Sequence, residues 1–348
     1  MNRVKVGVLG CGKISERYIK NINEKFQDIL QIVSFADMNH EAALAAAEKC
    51  CGSNVCTYDE MLADANVEVV LNLTNNCAHF DTTLMALKAG KHVYSEKTMA
   101  VDREEAKILV DTARSNGLLL ASAPDTFMGG GMQTVRSIVE RGEIGKVAYA
   151  NVFIGMKVES QMFYEKRHGG ILFDMGTYFL TALVNLFGPV KRVSGIVKPK
   201  FEGEIPQTTT SALEFECGVV ANLTTCNESH SYLPKFEIYG SKGFISANDP
   251  NFFFGDIVLQ KNDLESEIIQ SEFCYQDNSR GLGLVEIACV LREQKGRDLR
   301  ASGELACHVV DVLQSIWDSN DTGKTIEVKY SCNQPAAMPK NGDLGWVK

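Results

Sequence analysis

Apolar residues in the first third of the chain fall into short β-branched runs, separated by alanine-rich stretches whose apolar positions recur at helical spacing. The runs Val4 to Leu9, Ile29 to Ala36, Val67 to Leu73, His92 to Ser95 and Leu118 to Ala121 predict strands; Glu41 to Lys49, Phe80 to Ala89 and Arg103 to Ser115 predict helices. Gly90 and Gly117 follow the last two helices, where a left-handed residue closes a helix at least cost. Strand and helix in alternation predict a parallel, doubly wound sheet whose ligands lie beyond the carboxyl ends of its strands.

After Pro124 the rhythm changes. A helix over Met132 to Arg141, stopped by Gly142, leads into a strand and then a long helix near Leu172 to Leu186. The runs Val190 to Val197, Thr208 to Phe215 and Val219 to Thr225 follow without crossover helices, and Glu216-Cys217-Gly218 suits a tight turn. Strand after strand implies an antiparallel sheet. Helices return at Leu282 to Arg292 and Gly303 to Ser319, before an irregular tail. The expected class is α/β, a doubly wound sheet in residues 1–124 and an α+β unit with an open-faced sheet in 125–348. The chain shows no internal repeat.

A length of 348 residues suits two such units. Composition narrows the partners: a net charge of -9 argues against a phosphate-backbone-binding surface, so no nucleic acid is expected. The 11 cysteines contain no C-x-x-C pair and read as small buried hydrophobes in a reducing compartment. Nothing groups histidines and carboxylates at ligand spacing, so no metal is expected. Met1 precedes a strand pattern within three residues, leaving no room for a leader, and no apolar run approaches the ~20 residues of a membrane helix. The expectation is a cytoplasmic protein with no membrane contact, in which the Asn-x-Thr triplets at Asn72 and Asn222 go unused.

Candidate chemistry begins at Gly10-Cys11-Gly12-Lys13-Ile14-Ser15, directly after the first strand. Gly10 permits the tight turn, Gly12 lets backbone approach a pyrophosphate, and helix N-terminal amides then face its charge. A plain βα turn would look similar, but Asp37 ends the second strand near the ~20-residue spacing at which a carboxylate meets ribose hydroxyls. That carboxylate would repel a 2′-phosphate, which favours NAD over NADP. Capping the helix near His40 is the competing use of Asp37. Thr74, Asn75 and Asn76, then Glu96 and Lys97, then Asp125, stand at the ends of other strands, where a nicotinamide would lie.

Gly-Lys-His-Val-Tyr-Ser-Glu-Lys at 90 to 97, together with the glycine turn and Asp174-Met-Gly-Thr-Tyr178, resembles the glucose-fructose oxidoreductase / inositol dehydrogenase (Gfo/Idh/MocA) family. The similarity extends to Ala123-Pro124-Asp125-Thr126-Phe127 and Glu237 to Gly243. The resemblance implies a Rossmann domain plus an open-faced sheet domain, and nicotinamide-dependent oxidation or reduction of a sugar, cyclitol or related polyol. It implies that Lys97 is the catalytic lysine, with Thr98 where the family has proline. Because a non-proline cis bond costs ~3 kcal/mol, the Lys97–Thr98 peptide is expected to be trans. Asp174 and Tyr178 take the places of the family's aspartate and its histidine or tyrosine. Tyr178 is then the proton-transfer group, its phenol lowered by the Lys97 cation, unless it is a core aromatic of its helix. Asp174 would orient Lys97 or substrate; Asp125 and His168 are candidate substrate contacts, and His79 a candidate neighbour of the nicotinamide or a local hydrogen-bond partner. Relatives that cleave glycosides through transient oxidation, or bind NAD as regulators, are the alternatives. One bare face on an open sheet needs covering, which predicts a homodimer or homotetramer.

Overall fold

The computed structural model describes residues 2–157, 169–199, 206–262, 264–293 and 298–344. Its first sheet is built from β1 (Val4–Leu9), β2 (Leu30–Ala36), β3 (Asn54–Val55), β4 (Val69–Asn72), β5 (His92–Ser95) and β6 (Leu120–Ser122). The order is β3-β2-β1-β4-β5-β6, with every ladder parallel. Helices α1 (Lys13–Glu24), α2 (His40–Ala47), α3 (Tyr58–Ala63), α4 (His79–Lys88) and α5 (Arg103–Ser115) make the crossovers. Val4, Val6, Val8, Val69, Val70 and Leu71 are all fully buried, as continuous apolar strands covered on both faces must be. β3 and α3 were not legible in the sequence because two and six residues are too few to show a period. A capping box between Thr57 and Glu60 holds α3 instead. The order in which strands are added reverses at β1, with β2 and β3 on one side and β4 to β6 on the other, which opens a crevice at the carboxyl ends of β1 and β4.

The later elements are α6 (Gly130–Glu140), β7 (Val147–Gly155), α7 (Thr177–Phe187), β8 (Val190–Pro199), β9 (Pro206–Phe215), β10 (Val220–Cys226), β11 (Leu233–Gly240), β12 (Gly243–Ala247), β13 (Val258–Lys261), β14 (Glu267–Ile268), α8 (Leu282–Glu293), α9 (Gly303–Thr322) and β15 (Ile326–Glu327). Their strands form one sheet, ordered β14-β13-β12-β11-β7-β10-β9-β8-β15. The ladders are antiparallel except that of β7 and β10, which is parallel. The predicted turn at Gly218 joins β9 to β10, with a φ of 86° and its N–H on the Phe215 carbonyl. Helix α7 is buried along its whole length and, with α9, covers one face of this sheet. The later half also returns to the first sheet. The Ser122 N–H donates to the Ala301 carbonyl at 2.9 Å, and Arg292 of α8 forks onto Glu68. Among the described residues no helix is long and apolar enough to cross a membrane.

Candidate active site

At the head of the crevice the turn after β1 has little freedom. Gly10 has a φ of 91°, and a Cβ there would lie 2.7 Å from the Leu73 carbonyl carbon. Gly12 begins α1 with no side chain capping the first turn, and a Cβ on it would meet nothing within 4 Å. The backbone at Gly12 is thus open on its Cβ side, and no side chain satisfies the first amides of α1. Ser15 is buried and its hydroxyl donates to the Gly12 carbonyl at 2.6 Å, which keeps helix and strand close. Asp37 closes β2 with one carboxylate oxygen accepting the Cys11 N–H at 2.6 Å and the other accepting the Asn39 N–H at 2.7 Å. Capping of α2 falls to Asn39, whose side chain accepts from Glu41 and Ala42, so Asp37 is not spent on that helix. An uncapped helix N-terminus beside a part-exposed carboxylate is what a dinucleotide's pyrophosphate and ribose hydroxyls require, so these residues fit the group.

The reacting end is assembled beyond β4 and β5. Glu96 is buried; its carboxylate accepts the Tyr18 hydroxyl at 2.7 Å and the Lys97 N–H at 2.9 Å. Lys97, with its side chain 14% exposed, donates through Nζ to the Asp174 carbonyl at 2.9 Å and forms an ion pair with the Asp174 carboxylate. The same Nζ lies 5.1 Å from the centroid of the Tyr178 ring. Asp174 sits in a π-helical turn, Leu172–Gly176, that precedes α7, where the sequence predicts an unbroken α-helix. Such a turn shifts the angular relation of neighbouring side chains and is common at functional sites. Thr74, Asn76, Glu96, Lys97, Asp174 and Tyr178 line one cavity of about 310 Å³, which Ile14 also reaches. A larger cleft of about 680 Å³, lined by Arg114, Arg300 and Gln334, holds none of the predicted residues.

Burial by itself pulls the Lys97 ammonium down, but Asp174, Tyr178 and Glu96 outweigh it and hold the group above the ordinary lysine range. Tyr178 departs from expectation. Burial pushes its phenol up, Glu96 and Asp174 add to this, and the opposing cations Lys97 and Arg280 do not overcome it. The prediction that Lys97 lowers this phenol holds for the pair but not for the net effect, because desolvation is the larger influence.

The Lys97–Thr98 peptide is cis, which corrects the expectation of a trans bond. That expectation weighed the intrinsic cost alone, whereas both flanks of the bond are engaged: the Lys97 N–H by Glu96 and the Thr98 carbonyl by His79 Nδ1 at 2.7 Å. His79 Nε2 faces the Thr74 carbonyl at 2.9 Å, so this buried imidazole ties the two loops together behind the cavity. Burial keeps its pKa below the usual histidine value, although only the protonated ring could donate to both carbonyls.

A family sequence model described as "Oxidoreductase family, NAD-binding Rossmann fold" matches residues 4–123, and the GFO/IDH/MocA C-terminal domain matches residues 132–246. The chain belongs to the GFO/IDH/MocA oxidoreductase family. This GFO/IDH/MocA protein is therefore an NAD-binding oxidoreductase. It is 30% identical over 258 residues to the uncharacterized oxidoreductase ORF334 of Rhizobium meliloti, covering 72% of this chain and 76% of that one. It is 26% identical over 322 residues to trans-1,2-dihydrobenzene-1,2-diol dehydrogenase of Bos taurus, covering 90% of this chain and 94% of that one. Levoglucosan dehydrogenase in complex with NADH and levoglucosan shares the fold, with a TM-score of 0.83 at 17% identity over 94% of this chain and all (100%) of that one.

One expected substrate contact of this GFO/IDH/MocA protein, Asp125, does not line that cavity. Asp125 is buried, and one of its oxygens accepts the N–H groups of Gly281 at 2.8 Å and Gly283 at 3.2 Å, so that oxygen organises the loop before α8. The sequence placed it at a strand end, which is correct, but could not show which way it turned. His168 lies outside the described residues. Conversely, Arg280 was missed: its guanidinium is held by Asn251 and its positive charge acts on the Tyr178 phenol. More than 100 residues separate the two and no motif surrounds Arg280, so nothing in the sequence marked it. Among the described residues no group of three or more His, Cys, Asp or Glu side chains could hold a metal ion.

Proposed function

We propose that this protein is an NAD-dependent dehydrogenase or reductase acting at a CH–OH carbon of a sugar, cyclitol or related diol, with residues 1–124 holding the cofactor and 125–348 presenting the substrate. The observation that carries the reading is the meeting of Lys97, Asp174 and Tyr178 in the cavity that also contains Thr74, Asn76 and Glu96 at the strand ends. The names of its relatives support the substrate class, since trans-1,2-dihydrobenzene-1,2-diol and levoglucosan both carry secondary hydroxyls.

When bound, NAD supplies a carbon that takes or gives hydride. The turn at Gly10, Gly12, Lys13 and Ile14 would hold its pyrophosphate, Asp37 its adenosine ribose, and Thr74, Asn76 and Glu96 its nicotinamide end. Lys97, charged at neutral pH, stabilises negative charge on the reacting oxygen. Tyr178, whose raised pKa keeps the phenol protonated at neutral pH, donates its proton to the alkoxide formed in reduction. In oxidation the transfer runs in reverse: the deprotonated form of Tyr178 accepts the hydroxyl proton and becomes the phenol again. Asp174 holds Lys97 in place through two contacts, beside the Tyr178 ring. Burial keeps water from competing for the proton.

The test is initial-rate measurement of NADH formation on myo-inositol, levoglucosan and trans-1,2-dihydrobenzene-1,2-diol. Lys97→Ala and Tyr178→Phe each lower turnover by about 100-fold or more, while NAD affinity by calorimetry stays close to that of the wild type. Tyr178→Phe keeps the ring and deletes only the hydroxyl. Full turnover by that variant, under conditions where chemistry limits the rate, ends the proton-transfer assignment and makes His168 the next residue to test.

A further inference from the structure

The cavity that holds Lys97, Asp174 and Tyr178 carries an unbalanced charge. Among the described residues on its wall three side chains are charged: Glu96, Lys97 and Asp174. Lys97 and Asp174 form an ion pair and offset each other, which leaves the Glu96 carboxylate. One of its oxygens accepts the Tyr18 hydroxyl at 2.7 Å and the other the Lys97 N–H at 2.9 Å; both contacts come from donors, which suits the ionised form. Glu96 is buried, and among the described residues no cation stands within salt-bridge distance of it. Tyr18, which anchors it, belongs to α1, the helix that opens the cofactor turn, and its ring packs 6.1 Å from that of Tyr94 on β5. Two further basic groups face Glu96 from other elements. His79 of α4 is kept below the ordinary histidine pKa by burial and adds no charge at neutral pH. Arg280 is not on the cavity wall; Asn251 holds its Nη2, and its charge is shared between two buried carboxylates, Asp125 and Glu96.

We propose that Glu96 makes this cavity favour the oxidised form of the cofactor over the reduced form, with Tyr18 as the residue that positions its carboxylate. This rests on the dehydrogenase reading above, which brings the nicotinamide ring into the same cavity as the substrate carbon, beside Lys97 and Tyr178. The ring is positively charged in NAD⁺ and neutral in NADH, and the rest of the molecule is the same in both. Contacts to pyrophosphate, riboses and adenine therefore drop out of the comparison, whereas a carboxylate on the cavity wall acts on the difference. Two charges a few ångströms apart at a partly dry site attract several times more strongly than in water. Because Lys97 is matched by Asp174, its repulsion of a cationic ring is reduced and the Glu96 field is the larger. A site with this bias takes up NAD⁺ for alcohol oxidation and lets NADH go once hydride has been transferred.

Calorimetric titration of the wild type, Glu96→Gln, Glu96→Asp and Tyr18→Phe with NAD⁺ and with NADH tests this in the absence of any substrate. The quantity read is the ratio of the two dissociation constants, NADH over NAD⁺. Glu96→Gln keeps one acceptor oxygen and removes the charge; it should lower that ratio about tenfold, chiefly by weakening NAD⁺. Glu96→Asp and Tyr18→Phe retain the charge and should leave the ratio within about threefold of the wild type. A Glu96→Gln ratio equal to that of the wild type overturns the proposal. So does an equal weakening of both forms, which is what a carboxylate with a purely structural role would give. Should Glu96→Gln show no melting transition, Glu96→Met combined with Tyr18→Phe removes the carboxylate together with its hydroxyl donor, so that this buried donor is not orphaned, and the same fall in the ratio is expected. A wild type that binds neither form ends the dehydrogenase reading too, whereas intact binding with an unaltered ratio in the variant ends only this inference.

Discussion

At position 37 a carboxylate has two jobs that the structure separates. Its bonds to the Cys11 and Asn39 N–H groups shape the turn after β1, and its part-exposed edge is what the proposed ribose contact would use. A hydrogen-bonded ribose hydroxyl against a repelled 2′-phosphate is worth roughly 1.4 kcal/mol or more, so NAD should bind at least about tenfold more tightly than NADP. Replacing Asp37 by Ala should bring the two affinities together in calorimetric titration while turnover at saturating NAD changes less. If the wild type binds both equally, the ribose role of Asp37 is lost and only its part in the turn remains. Cys11 shows the opposite outcome at the same turn: burial, then Asp37, push its thiol up to about 12, so it reads as a packing residue.

Among the elements, those with a full period and a chemical stop were legible. The glycines after α4 and α5 take φ values of 77° and 65°, as the helix-end reading requires. The π turn before α7 was not, because widening a single turn leaves the apolar periodicity nearly unchanged. The parallel pairing of β7 with β10 was equally hidden, since alternation between faces is the same in either direction. Two elements are also joined by histidines whose ring nitrogen accepts a backbone N–H: His92 at the start of β5 from Leu119, and His308 of α9 from Val190. Protonation would abolish each acceptor, and burial holds both pKa values below the ordinary value of about 6.5. The unfolded chain then binds protons that the folded one refuses, so stability is complete above about pH 6.5 and declines as pH falls below it. Melting temperatures recorded from pH 7 downward should show this loss, and His308→Gln should flatten it. A melting temperature independent of pH across that interval would contradict the assignment.

At the scale of the whole molecule, the second sheet covers one face and leaves the other bare. Along β7, Ala150, Val152 and Ile154 point into the core while Tyr149 and Asn151 lie on the open side. There Tyr149 stacks on Tyr239 at 6.1 Å, and Tyr239 on Phe244 at 6.2 Å. An aromatic cluster on an open sheet suits a self-complementary contact, so we expect a dimer or a dimer of dimers at micromolar concentration by light scattering. Introducing lysine at both Tyr149 and Tyr239 should shift the mass toward the monomer with activity per chain largely retained; a monomeric wild type removes the expectation. The sequence by itself determined the doubly wound half, the glycine turn with Asp37, and Lys97, Asp174 and Tyr178 as the residues to watch, because local periodicity and short motifs are written in neighbouring positions. Tertiary structure alone decided the cis bond at Lys97, the inward turn of Asp125, the net rise in the Tyr178 pKa and the arrival of Arg280. Each depends on groups distant in sequence, whose desolvation and charge act only once folding has brought them together.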